Sequence, residues 1–140
     1  MADLLAIQQL LYRYCYAHDS QDEKLLRACF AEDVELLGAK GRDNVVSTYM
    51  NAYKHLSLQR RHVLTNSFLL EDGEDSAVVQ SIITLYLVKG ETVELHLTGI
   101  YRDHVVNENG EWKIKGREAT MDAPYNPGDV NPAEVIPIRS

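Results

Sequence analysis

The sequence predicts an α+β domain in which helices pack on one face of a strongly curved, mostly antiparallel sheet that can enclose a pocket. Two observations carry this. In the first third of the chain, apolar residues recur at three- and four-residue steps, as one face of a helix requires. From Arg61 onward the pattern changes to β-branched and aromatic runs, punctuated by Asp72-Gly73, Lys89-Gly90 and Asn109-Gly110, all good hairpin turn signals.

The elements follow in order. Leu4, Ile7, Leu11, Tyr14 and His18 share a stripe, with Leu10 and Cys15 beside it, so residues 3–18 read as an amphipathic helix with one buried face. Ser20-Gln21-Asp22-Glu23 has capping-box spacing and predicts a second helix from about residue 21, with Ser20 as its cap. That helix turns Leu25, Leu26, Cys29 and Phe30 inward and gives way to a short strand over Val34–Leu37. A third helix, Arg42–His55, follows the Gly38 and Gly41 breaks. Four antiparallel strands are then expected over 61–70, 76–88, 92–106 and 111–121. All four prolines fall beyond residue 121, so 1–121 reads as the folded domain and 122–140 as an extended tail.

At 140 residues the chain has the length of one domain and room for one core. Hydrophobic residues at 45% and charged residues at 25% exclude a disordered composition. A formal charge of -7 opposes the electropositive footprint that nucleic acid or an anionic membrane would need. The opening Met-Ala-Asp-Leu-Leu has neither the basic nor the apolar region of a signal peptide, and a cytoplasmic location is expected. Cys15 and Cys29 lack CxxC spacing and read as core residues rather than a disulfide or zinc pair.

No GxGxxG, Walker, HExxH or GxSxG pattern is present, which removes support for nucleotide, metallopeptidase and serine-hydrolase chemistry. Ionisable residues in awkward places remain. Asp19 lies at the junction of the first two helices and His62 opens the first long strand. If the sheet folds back onto the helices, a carboxylate meeting the imidazole N–H would fix the tautomer and raise the basicity of the other nitrogen, making a general base. An ordinary turn-forming Asp and a solvated His are the competing reading. Tyr14 faces inward little more than one helical turn before Asp19, and Tyr101 faces inward by strand parity. His18 reads as a hydrogen-bonded wall residue, and His55 and His104 as surface residues. Parity puts Leu95, Leu97, Gly99 and Tyr101 on one face and His96 on the other, unless a bulge reverses it. A metal site on His62 and His96 would need that reversal, and no metal or cofactor is expected. Arg117 either fixes a substrate carboxylate or pairs in the neighbourhood of Glu118, the structural role being preferred. The mixed face through His96 and Ile100, with the proline-bearing tail, favours self-association as a homodimer or homotrimer.

Three stretches resemble the nuclear transport factor 2-like superfamily in its SnoaL-like branch: Ile7-Gln8-Gln9-Leu10 leading to His18-Asp19-Ser20-Gln21-Asp22, then Arg61-His62-Val63-Leu64-Thr65-Asn66, and Gly99-Ile100-Tyr101-Arg102-Asp103 followed by Gly110-Glu111-Trp112-Lys113-Ile114. The resemblance covers roughly residues 4–121 and implies a cone-shaped α+β barrel. Asp19 and His62 match the catalytic dyad of dehydratases and dehydrochlorinases in the branch, and Tyr14 matches a tyrosine five residues before the aspartate in its bile acid dehydratases. Pocket positions that hold histidine and asparagine in scytalone dehydratases fall near Leu87 and Tyr101, so that particular reaction is not implied. What is implied is a cofactor-independent lyase acting on a small molecule, with His62, Asp19 and Tyr14 catalytic and Tyr101, His18, Leu87 and Arg117 around the substrate. An isomerase or cyclase using the same dyad, or a ligand-binding module of the same fold, are the alternatives.

Overall fold

The computed structural model describes residues 1–122. The tail expected over 122–140 therefore lies, beyond Asp122, outside the described residues. Helix α1 spans Leu4–Ser20, α2 Glu23–Cys29 and α3 Arg42–Tyr53. A two-stranded hairpin, β1 (Glu35–Leu36) with β2 (Ala39–Lys40), precedes α3. The long strands β3 (Gln59–Asp72), β4 (Ser76–Lys89), β5 (Thr92–Glu108) and β6 (Glu111–Met121) form one antiparallel sheet in the order β3-β4-β5-β6. The helices lie on one side of that sheet, as the sequence predicts, α1 and α2 in direct contact with it and α3 packed on α2 and the β1–β2 hairpin.

Helix α1 begins at Asp3, whose carboxylate accepts from the Ala6 N–H at 3.1 Å. It ends two residues later than its apolar stripe predicts. Gln21 turns left-handed at φ 55°, and the N–H groups of Gln21 and Asp22 return to the carbonyls of His18 and Ala17 in the arrangement of a Schellman cap. Ser20 consequently does not cap α2. Its hydroxyl donates to the Tyr16 carbonyl at 2.7 Å, while Asp22 caps α2 by accepting from the Leu25 N–H at 2.9 Å. The two extra residues carry Asp19 as far as the start of the sheet.

Strand parity sets the inner face. His62, Leu64 and their cross-strand partners Leu85 and Ile83 point inward, followed by Gly99, Tyr101, Asp103 and Val105 on β5. Bulges interrupt β3 between Thr65 and Phe68, β4–β5 beside Tyr86, and β5–β6 beside Val105. Each bends the sheet and increases its twist. The β5 bulge falls at His96, since Leu97 pairs with Leu85 but Leu95 pairs with Tyr86. Leu95, expected inward, is thereby turned out and is 61% exposed. At Gly99 a Cβ would lie 2.4 Å from the Thr120 carbonyl oxygen, so only glycine lets β6 approach this closely.

The core lies between this face and α1, α2 and α3. It includes Ile7, Leu11, Leu26, Phe30, Val45, Val46, Ile83 and Ile114, with Cys15 and Cys29 as buried free thiols. Among the described residues no helix is long and apolar enough to cross a membrane, and no group of three His, Cys, Asp or Glu is placed to hold a metal ion.

Candidate active site

The last turn of α1 meets the start of β3 on the inner sheet face. Asp19 Oδ1 lies 2.5 Å from His62 Nδ1, and Asp19 Oδ2 accepts from the His62 backbone N–H at 2.8 Å. One carboxylate therefore grips both the ring and the main chain of the same histidine. The side chains are 3% exposed for His62 and 9% for Asp19. The backbone of Asp19 is held in turn, its carbonyl accepting from Gln59 Nε2 at 3.1 Å. With the ionised carboxylate accepting at Nδ1, the hydrogen sits there and Nε2 keeps its lone pair. His62 Nε2 makes no hydrogen bond among the described residues.

Beside the pair stands an aromatic wall. The His18 ring lies 4.5 Å from that of His62, and its Nδ1 is 2.6 Å from the Tyr53 hydroxyl. Tyr14 stacks on His18 at 5.8 Å, and the Tyr14 and Tyr49 hydroxyls share a hydrogen bond of 2.7 Å. Burial pushes the Tyr14 and Tyr49 phenols up, so both stay protonated, and whichever of the two accepts keeps its own hydrogen to give. Burial pushes His18 the other way, well below the usual imidazole range, with the charges of His62, Arg117 and Arg60 adding to the effect.

Deeper along the sheet, Arg117 lies between two rings, 4.5 Å from the Tyr14 centroid and 4.0 Å from that of Tyr101. Its Nε donates to Asp103 Oδ1 at 2.6 Å, the two residues facing each other in register on β5 and β6. The expected neighbour of Arg117 was Glu118, which instead points outward and approaches His104 at 3.6 Å. Burial disfavours the guanidinium charge, but the Asp103 carboxylate and the two phenols outweigh it, and the Arg117 pKa is pushed up. Arg117 Nη2, Asp103 Oδ2 and the Tyr101 hydroxyl are fully enclosed without a partner among the described residues.

Of the seven residues singled out in the sequence, Asp19, His62 and His18 come together, and Tyr14 joins them through His18. Leu87 is buried on the inner face, paired with Arg60 and two residues from Leu85, the partner of His62. Tyr101 is linked to that group only through Arg117, which lies over both its ring and that of Tyr14. His96 sits in the β5 bulge, away from any metal-binding cluster among the described residues. Tyr49, Tyr53 and Asp103 were missed. The first two continue the spacing of Val45 and Val46 along α3, and Asp103 shares strand parity with Tyr101, which marks a charged residue on an inward position.

Helices packed on a bulged four-stranded antiparallel sheet give the nuclear transport factor 2-like fold, here with an acid–imidazole pair where the first helix meets the first long strand. The chain belongs to the SnoaL-like domain family, whose pattern matches residues 1–118. It is similar to a solved Novosphingobium aromaticivorans protein provisionally described as a scytalone dehydratase, at 28% identity over 86% of this chain and 84% of that one, TM-score 0.73. Rv3472 from Mycobacterium tuberculosis, of unknown function, is similar at 27% identity over 85% of this chain and 76% of that one, TM-score 0.74. A Nostoc punctiforme protein of unknown function with a cystatin-like fold reaches TM-score 0.76 at 25% identity, over 87% of this chain and 92% of that one. No curated protein matches the sequence.

Proposed function

We propose that the chain is a cofactor-independent carbon–oxygen lyase, a dehydratase that removes water from a small cyclic or polyketide-like hydroxy ketone. The grip of Asp19 on the ring Nδ1 and the backbone N–H of His62 carries this reading. It leaves Nε2 as the acceptor, in a setting shielded from water, which is what abstraction of a proton beside a carbonyl requires. As the imidazolium forms, the Asp19 carboxylate balances its charge in place. Tyr14 gives a hydrogen bond to the departing hydroxyl, which leaves as water with the proton taken by His62. The likeness to a protein provisionally described as a scytalone dehydratase and the ring-lined wall of Tyr14, His18, Tyr49 and Tyr53 support a cyclic substrate.

The test starts from the purified protein. A mass-spectrometric search for ligand retained from the cell supplies a compound to assay with wild type, His62→Ala and Asp19→Asn. Loss of about two to four powers of ten in turnover is expected for His62→Ala, the usual worth of a positioned general base. Equal turnover by wild type and His62→Ala would remove His62 as the base.

A further inference from the structure

His18 takes no part in the steps just described, yet it is built into the site as firmly as the groups that do. It is 5% exposed and lies within ring contact of both His62 and Tyr14. Burial keeps its imidazole neutral. A neutral imidazole carries one N–H and one lone pair, and its hydrogen-bond partner decides which nitrogen holds which. Here the partner is the Tyr53 hydroxyl, 2.6 Å from Nδ1. Burial keeps that phenol protonated as well. The Tyr53 hydroxyl has no second hydrogen-bond acceptor among the described residues, so its hydrogen goes to Nδ1. With the hydrogen on Nδ1 instead, the phenol proton would be stranded in a buried place, at the cost of an unmade hydrogen bond. His18 Nε2 then bears the N–H. It has no partner among the described residues and is not one of the fully enclosed unpaired atoms, so it keeps some accessible surface.

We infer that Tyr53 is a positioning residue that locks His18 in its Nε2–H tautomer, making His18 a fixed, uncharged hydrogen-bond donor for the carbonyl oxygen of a cyclic ketone held beside His62. For the reaction this rests on the lyase reading above. As His62 Nε2 takes the α-proton, the C–H electron pair moves onto the carbonyl oxygen, and the oxyanion accepts from His18 Nε2–H, which keeps its own proton. The pair returns to form the C=C bond as the β C–O bond breaks, and the departing hydroxide takes the proton from the His62 imidazolium to leave as water. A neutral donor fits this position because a second cation 4.5 Å from the His62 ring would oppose the imidazolium that must form there. The division of labour gives the carbonyl to His18 and the leaving hydroxyl to Tyr14.

Long-range nitrogen–proton correlation NMR of the full chain reads the His18 tautomer directly. In wild type, Nε2 is expected as the protonated nitrogen and Nδ1 as the unprotonated one. In Tyr53→Phe, which keeps the ring and loses the hydroxyl, a mixture of tautomers is expected. Isotope-edited infrared spectra of added α-tetralone supply the donor readout, a red-shifted carbonyl stretch in wild type that disappears in His18→Phe. Hydrogen on Nδ1 in wild type, an unchanged tautomer in Tyr53→Phe, or a carbonyl stretch that is unshifted in wild type or equally shifted in His18→Phe would overturn the inference. None of these readouts needs turnover, so their failure leaves the base assignment of His62 to its own assay.

Discussion

Five side chains make separable demands. Burial sets the His18 pKa well below 6.5 in the folded protein, whereas the unfolded chain takes up its proton near 6.5. Between those values the unfolded state binds more protons, so stability is fully present above about pH 6.5 and falls as pH drops below it. Denaturant melts between about pH 7.5 and about pH 5 should show that slope in wild type and less of it in His18→Phe; the same slope in both would count against a buried neutral His18. Asp103 and Arg117 are 0% and 2% exposed at their side chains, so removing one partner strands a charge. Asp103→Ala should cost about 3–5 kcal/mol in unfolding free energy, more than half of it recovered when Arg117→Met is added. Burial pushes the Cys15 thiol up to about 12 and the Cys29 thiol to about 11. Neither should be alkylated at neutral pH in the folded chain.

Among the elements, the joint between α1 and α2 positions the site. Because Asp22 rather than Ser20 satisfies the first N–H groups of α2, Asp22→Ala should lose about 1 kcal/mol of stability, with Ser20→Ala losing much less. Thermal melts of both variants check the order, and the reverse order would restore Ser20 as the cap. The capping-box pattern misled because two acceptors, Ser20 and Asp22, stand two residues apart, and a left-handed Gln21 lets α1 claim the first of them. Strand parity was legible through most of β5, for Tyr101 and Gly99, and failed at Leu95. One inserted residue at His96 turned that side chain to the other face.

Across the whole molecule, the sheet is covered by helices on one face, while the other carries exposed Val63, Phe68, Ile82 and Leu95. The self-association expected from the mixed face through His96 and Ile100 would bury this side of the sheet, a stable pair needing roughly 800 Å² from each partner. Sedimentation at micromolar concentration should then show Phe68→Glu smaller than wild type; a monomeric wild type would dispose of the idea. The order of elements, the hairpin turns and the inward stripe of α1 were all written locally, since periodicity needs only near neighbours in the chain. The resemblance that linked Asp19 to His62, residues 43 positions apart, rested on short motifs around each of them. The sequence by itself thus determined the fold family and the residues of the pair. Only the tertiary structure decided that His18 rests against His62 with Tyr53 on its far nitrogen, and that Arg117 answers to Asp103. Periodicity reports which face of an element is buried, but the partner of a buried polar group depends on how elements distant in the chain cross.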